Sequence, residues 1–239
     1  MQRRIKQFAI IAAGEGRRLS EEGVAWPKAL VPLNGEPLLS RLVHIFNACG
    51  AERIVIIVND LHPQAEQHVR QLMAQPGGER IHLVVQTTPS SMHSFFALSS
   101  HLADEPFCLT TVDTIFRESD FRAYLDYFAQ SDADGVMGVT DFVDDEKPLY
   151  VATNESLDIT AFLDASATCK YISGGIYGLT ASALKTLQRC MAEGQSRMRN
   201  YQRGLIADGL RLKAFPFSKI LDVDHASDIQ KAVDFLKDN

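Results

Sequence analysis

The sequence predicts an α/β fold: a mainly parallel sheet flanked by helices, with a small antiparallel β element in its second half. Three observations predict it. Short β-branched runs at 7–12, 53–58 and 81–85 alternate with amphipathic stretches of helical length, the pattern of parallel strands joined by crossover helices. The first run ends in a glycine-rich turn, Ala12-Ala13-Gly14-Glu15-Gly16, before the chain becomes polar. Finally, 239 residues at 46% hydrophobic can bury one large core, and no Pro/Ser-rich linker, low-complexity tract or repeat divides them, so 1–239 reads as one domain.

The elements follow in order. Gln7 to Ala12 is an apolar run read as a buried strand. Pro37 to Cys49 places Leu38, Leu42, Ile45 and Phe46 on one helical face, with Pro37 in the first turn and Gly50 as the cap. Arg53 to Val58 is the second strand, Pro63 to Met73 a polar-faced helix stopped by Pro76-Gly77-Gly78, and Ile81 to Val85 the third strand. A helix from Ser90 or Ser91 to His101 precedes a strand over Phe107 to Val112. Asp120 to Gln130, after Ser119, turns Phe121, Tyr124, Leu125 and Phe128 inward. Gly135 to Thr140 is a strand, and the acidic loop 141–147 a solvated excursion. Tyr150 to Ala152 and Ile159 to Leu163 form a hairpin beside the main sheet. Beyond the glycine-bearing segment Tyr171 to Thr180 come a helix over Ala181 to Ala192, a loop carrying Arg197, Arg199 and Arg203, a helix ending near Gly209, and a strand over Leu212 to Phe217. A capped helix after Asp222-Val223-Asp224 closes the chain.

In such sheets ligands bind at the carboxyl ends of the strands. The turn after the first strand suits a polyphosphate, because glycine reaches positive φ and leaves backbone N–H groups unobstructed, while Arg17, Arg18 and Lys28 add positive charge. A plain strand-to-helix turn is the bland alternative. The turn is neither a dinucleotide fingerprint, since no third glycine follows Gly14 and Gly16, nor a Walker A loop. Asp113 stands at the end of its strand, where a carboxylate can hold Mg²⁺ or simply form a turn. Gly174 and Gly175 within a strand read equally as a β-bulge.

The formal net charge of -6 argues against a general affinity for nucleic acid. Cys49, Cys108, Cys169 and Cys190 are too scattered for a zinc site and are read as reduced thiols. The apolar run before Gly14 is shorter than a signal peptide's core of about 7–15 residues, and none approaches the roughly 20 of a membrane span. A cytoplasmic location without membrane contact is expected.

The string from Ala12 to Val43, AAGEGRRL, a gap, then PKALVPLNGEPLLSRLV, resembles the signature of the nucleotidyltransferase superfamily that makes nucleoside-diphosphate sugars. Ala12, Ala13, Gly14, Gly16, Arg18, Leu19, Pro27, Lys28, Leu30, Pro32, Leu33, Gly35, Pro37, Leu38 and Leu39 carry it. The resemblance implies a Rossmann-like, GT-A-like fold with a nucleotide-binding half over 1–117 and an acceptor-binding half over 118–239. It implies triphosphate binding at Ala12, Ala13, Gly14 and Gly16, with Arg18 on the leaving pyrophosphate and Lys28 on the in-line attack. Gln86, Ser91 and Met92 occupy the places of the base contacts, with Ser91 standing where the family has glycine. Mg²⁺ falls to Asp113, with Val112 in place of a family glycine, and to Asp224, with Asp222 in reserve. Gly174 and Gly175 match the acceptor-side [NS]-[AG]-GIY element, but the E-K-P that commonly precedes it is absent. The implied reaction is transfer of a nucleoside monophosphate from a nucleoside triphosphate to a sugar 1-phosphate. Alternatives are a cytidylyltransferase for phosphocholine or a polyol phosphate, a catalytically inactive nucleotide sensor, and an unrelated Rossmann oxidoreductase. The partners are then a nucleoside triphosphate and a phosphorylated small molecule, and a homo-oligomer is compatible with this reading.

Overall fold

The computed structural model describes residues 3–144 and 146–237. Its first part contains β1 (Gln7–Ala12), α1 (Arg17–Glu21), β2 (Pro32–Leu33), β3 (Glu36–Pro37), α2 (Leu38–Ala48), β4 (Arg53–Val58), α3 (Pro63–Met73), β5 (Ile81–Val85), α4 (Ser91–Ser99), β6 (Phe107–Thr111) and β7 (Thr114–Ile115). There follow α5 (Glu118–Gln130), β8 (Gly135–Thr140), β9 (Tyr150–Thr153), β10 (Ile159–Leu163), β11 (Tyr171–Leu179), α6 (Ala183–Ala192), α7 (Met198–Ala207), β12 (Leu212–Pro216), β13 (Leu221–Asp222) and α8 (Ala226–Lys237).

The main sheet runs β10-β9-β11-β6-β1-β4-β5, with β8 against β11 and β12 beyond β8. β6, β1, β4 and β5 are parallel neighbours, as alternating strands and helices require. β11 enters antiparallel against β6 and carries β9 and β8 with it, while the hairpin β9–β10 forms one edge. The predicted α/β architecture with its small antiparallel element is therefore present.

β1 explains why its sequence is apolar at every position. Phe8, Ile10 and Ala12 face one core and Ala9, Ile11 and Ala13 the other, so a strand with period two is buried on both sides. The first core takes in side chains of α2, α3, α5 and α8, and the second those of α4, α6 and α7. In the first, Phe8 stacks on Phe46 at 4.5 Å between ring centroids, and Phe121 packs on both Phe46 (5.5 Å) and Phe116 (4.9 Å).

Element ends differ from expectation in informative ways. Arg199 and Arg203 lie within α7 rather than in a loop, and only Arg197 precedes it. The strand ending in Thr111 stops one residue early: Val112 still donates its N–H to Ile11 O at 3.0 Å, but the chain then turns through Asp113 into β7. The acidic loop at 141–147 lies within the described residues except for residue 145. No helix among the described residues is long and apolar enough to cross a membrane. Phe121 touches four other aromatic rings and is fully buried, so Phe121→Ala should lower the unfolding free energy by about 3–5 kcal/mol in a denaturant titration.

Candidate active site

β1 and β6 end side by side, which delivers Gly14 and Asp113 to the same rim of the sheet. Beyond Gly14 the turn closes at Gly16, whose φ of +64° is left-handed and whose absent Cβ would stand 2.9 Å from the Lys28 Cβ. Glycine is required there for both reasons. Gly14 meets neither limit, since nothing lies within 4 Å of a Cβ placed on it. The turn is gripped from behind by Asn59, buried just past β4, whose amide nitrogen donates to Ala13 O and Gly14 O, both at 3.2 Å. Its own carbonyl oxygen accepts from the His62 N–H at 3.1 Å. Asn59 was not among the sequence candidates, although an Asn directly after the strand that pairs with β1 is a readable signal.

Lys28 opens a short 3-10 turn behind Pro27 and reaches back under Gly16. Its ammonium forms ion pairs with Asp113 and, at 2.5 Å, with Asp224 Oδ1. The lysine side chain is 12% exposed and that of Asp113 19%, so water screens little of this attraction. Burial alone would lower the Lys28 pKa, but the charges and hydrogen bonds of the two carboxylates outweigh it and hold the ammonium above its ordinary value. Burial would likewise raise the Asp113 pKa, and Lys28 with the Thr111 hydroxyl reverses this, so the carboxyl sits below its ordinary range.

Two very short strands bring residues 113 and 224 together. β7 and β13 pair antiparallel, Thr114 opposite Asp222 and Ile115 opposite Leu221, and the Val223 N–H donates to Asp113 O at 3.1 Å. Asp224 therefore shares the ammonium with Asp113, whereas Asp222 is exposed on the neighbouring wall. Arg18 also turns to Asp224, with Nη1 3.3 Å from Oδ2. The two carboxylates form a hard oxygen donor set of the kind that suits Mg²⁺ when phosphate oxygens and water complete the shell. Among the described residues no group of three or more His, Cys, Asp or Glu side chains gathers to hold an ion alone.

Two cavities meet beside this cluster. One, of about 470 Å³, is lined by Ala13, Gly14, Arg17, Lys28, Ser91 and Asp113 among others. The second, of about 340 Å³, is lined by Arg197, Arg199, Gln202, Gly175, Tyr177 and Asp222 among others, and shares Ser90, Ser91 and Thr111 with the first. Arg17 faces the first cavity, while Arg18 lines the cleft on the other side of Asp224. Ser91 is the first residue of α4, and Ser90 is its cap, accepting from the His93 N–H at 3.4 Å. Met92 is wholly buried in the core, and Gln86 is exposed just beyond β5, outside the lining of the first cavity, with its N–H bonded to Val58 O at 2.9 Å.

Gly174 and Gly175 form a bulge, for the pairing of β11 with β8 slips between Ser173 and Ile176. Gly175 adopts a φ of +71°, and a Cβ on it would stand 2.8 Å from Thr114 Oγ1 and 3.3 Å from Thr111 Oγ1, two hydroxyls bonded to each other at 2.7 Å. The bulge thus fits over the hydroxyl pair beside Asp113, and Gly174 lines the cleft next to Asp222 and Asp224. Arg199 and Arg203 are paired with Asp164 at 2.6 and 2.8 Å, a tie between α7 and the end of β10.

The glycine turn, the buried lysine and the two converging aspartates thus stand together at the mouth of paired cavities. The chain belongs to the MobA-like NTP transferase domain family, whose model matches residues 8–199, and the oxidoreductase alternative falls away. A curated relative, CMP-5'-(3-aminopropyl)phosphonate synthase of Streptomyces rubellomurinus, is 28% identical over 159 residues, 58% of this chain. The aligned part is 24% of that protein's length. Among solved structures, the inositol-1-phosphate CTP transferase of T. maritima superposes with a TM-score of 0.82 at 20% identity, covering 100% of this chain and 99% of its own. A Bacillus anthracis protein assigned as a glucose-1-phosphate thymidylyltransferase, solved with a sucrose, gives 0.83 at 19% identity, covering 98% and 96%. At these identities the two structures establish a shared fold.

The two glycines of the turn should separate in mutagenesis. Gly16→Ala combines left-handed strain with a clash against Lys28 and should cost about 1–3 kcal/mol of stability in chemical denaturation. Gly14→Ala has open space and should stay within about 0.5 kcal/mol of the parent.

Proposed function

We propose that the protein transfers a nucleoside monophosphate from a nucleoside triphosphate to a sugar 1-phosphate, yielding a nucleoside-diphosphate sugar and pyrophosphate. The observation that carries this reading is the Lys28 ammonium held between Asp113 and Asp224 beside two adjoining cavities. Residues 1–117 then supply most of the nucleotide site and 118–239 most of the acceptor site, and the cytoplasm provides both substrates. The turn from Ala12 through Gly16 would receive the triphosphate, with Arg17 and Arg18 flanking it.

Asp113 and Asp224 would hold Mg²⁺, with Asp222 nearest in reserve; when bound, the ion neutralises charge on the α- and β-phosphates. A phosphate oxygen of the acceptor forms the new bond to the α-phosphorus as the bond to the bridging oxygen breaks, and pyrophosphate leaves with that electron pair. The attacking oxygen is already ionised at neutral pH, so no side chain has to remove a proton, and alignment with charge neutralisation does the rest. Lys28, its ammonium favoured by the two neighbouring carboxylates, would follow the negative charge that builds on the α-phosphoryl oxygens. A unit charge about 4 Å away contributes roughly 4 kcal/mol at an effective dielectric of about 20.

The lining of the second cavity supports a hydroxylated acceptor over phosphocholine. Ser90, Ser91, Ser173 and Gln202 offer hydrogen bonds, whereas Tyr177 is the one aromatic among the described lining residues, and a quaternary ammonium is bound by an aromatic cage. The relatives named above suggest CTP as the first nucleotide to offer. Pyrophosphate release across pairs of CTP, UTP, GTP or dTTP with sugar, cyclitol and choline phosphates tests the reading; binding without release for every pair would leave a sensor.

Removing Lys28 leaves Asp113 and Asp224 facing each other. Lys28→Ala should lose at least about 100-fold in turnover, and its lowered melting temperature should be raised by Mg²⁺ more than that of the parent. Near-normal turnover would remove Lys28 from the mechanism.

A further inference from the structure

Gln202 sits in α7 with 2% of its surface exposed, yet it lines the second cavity. Its carbonyl oxygen accepts from the Ser173 hydroxyl at 3.0 Å. That bond turns the carbonyl oxygen of the amide toward Ser173 and its nitrogen the other way. The amide nitrogen is left with two protons and no hydrogen-bond partner among the described residues, on a side chain buried everywhere except toward the cavity. This nitrogen opens onto the cavity, so a group that displaces water from it has to accept from it in turn.

An amide nitrogen donates and cannot accept. It complements a hydroxyl or phosphate oxygen and opposes an ammonium group, whose protons it cannot receive. The remaining charges point the same way, since Lys147, Arg197 and Arg199 line this cavity against the single carboxylate of Asp222. Resting on the transferase reading above, we propose that Gln202 is the residue that selects the acceptor: its amide donates to a hydroxyl oxygen of a polyhydroxylated phosphate, such as a sugar or cyclitol phosphate, and disfavours aminoalkyl phosphates. Ser173 is a positioning residue that acts through it.

The test compares the parent with Gln202→Glu, which replaces the donor by an acceptor of the same shape, and with Gln202→Met, neutral and of similar volume. Pyrophosphate release is measured with the best of CTP, UTP, GTP and dTTP against inositol 1-phosphate, glucose 1-phosphate and phosphoethanolamine. The parent should prefer a hydroxylated acceptor, and both variants should lose about 10-fold or more in kcat/KM for it while the KM for the triphosphate stays unchanged. Gln202→Glu alone should shift the ratio toward phosphoethanolamine. Parent preference for phosphoethanolamine, or variants that keep kcat/KM for the hydroxylated acceptors, would overturn the assignment of Gln202 while leaving the transferase reading intact. Absence of pyrophosphate release by the parent with every pair would overturn the transferase reading and this inference with it.

Discussion

One ammonium shared by two carboxylates organises this molecule. Lys28, Asp113 and Asp224 come from the first loop, the middle of the chain and the approach to its last helix; the buried Lys28 and Asp113 would each be unfavourable without a counter-charge, and the half-exposed Asp224 adds the second anion. A lysine at that depth needs anions, and a carboxylate buried like Asp113 needs a cation. The requirement explains the construction around them: Gly16 must lack a side chain so that Lys28 can pass beneath it, and β7 must pair with β13 so that Asp224 can arrive. Local backbone geometry and long-range topology are thus fixed by the same charge constraint.

The same constraint ties the two halves of the protein. Thr111 borders both cavities, its hydroxyl helps hold the Asp113 carboxyl below its ordinary range and pairs with Thr114, and the bulge at Gly175 closes over that hydroxyl pair. A side chain added at Gly175 would press on groups that hold Asp113. The bulge and the carboxylate proposed to hold the metal are therefore packed as one unit, which suits the proposed reaction, in which two anions must be aligned at a single phosphorus.

Much of this was legible in the sequence because it depends on local chemistry. The alternation of apolar runs and amphipathic stretches marked the parallel strands, and the glycine spacing with Pro27-Lys28 marked the turn and its lysine. Asp113 was visible as an acid at a strand's end. What was not legible rests on contacts without a sequence period. β7 and β13 are two residues each, too short to show alternation, and their pairing alone decides that Asp224 rather than Asp222 joins Lys28. Arg17 and Arg18 are adjacent letters, yet the helical turn they begin sends one to the first cavity and the other to Asp224. Gln202 reads as an ordinary polar residue of a helix until Ser173 is placed beside it. Arg199 and Arg203 read as a charged loop because nothing in their spacing reveals Asp164 as their partner.

On the proposed reading, Asp113 and Asp224 form a cation site that Lys28 fills in the free protein and yields when substrate and metal arrive. Diffraction from crystals grown with Mn²⁺ and a non-hydrolysable nucleoside triphosphate analogue tests it directly through the anomalous signal of manganese. The account predicts a peak at roughly 2.1 Å from an oxygen of each aspartate, with the Lys28 ammonium moved onto the phosphates. A manganese peak away from both carboxylates, or a lysine still lying between them with nucleotide bound, would contradict it.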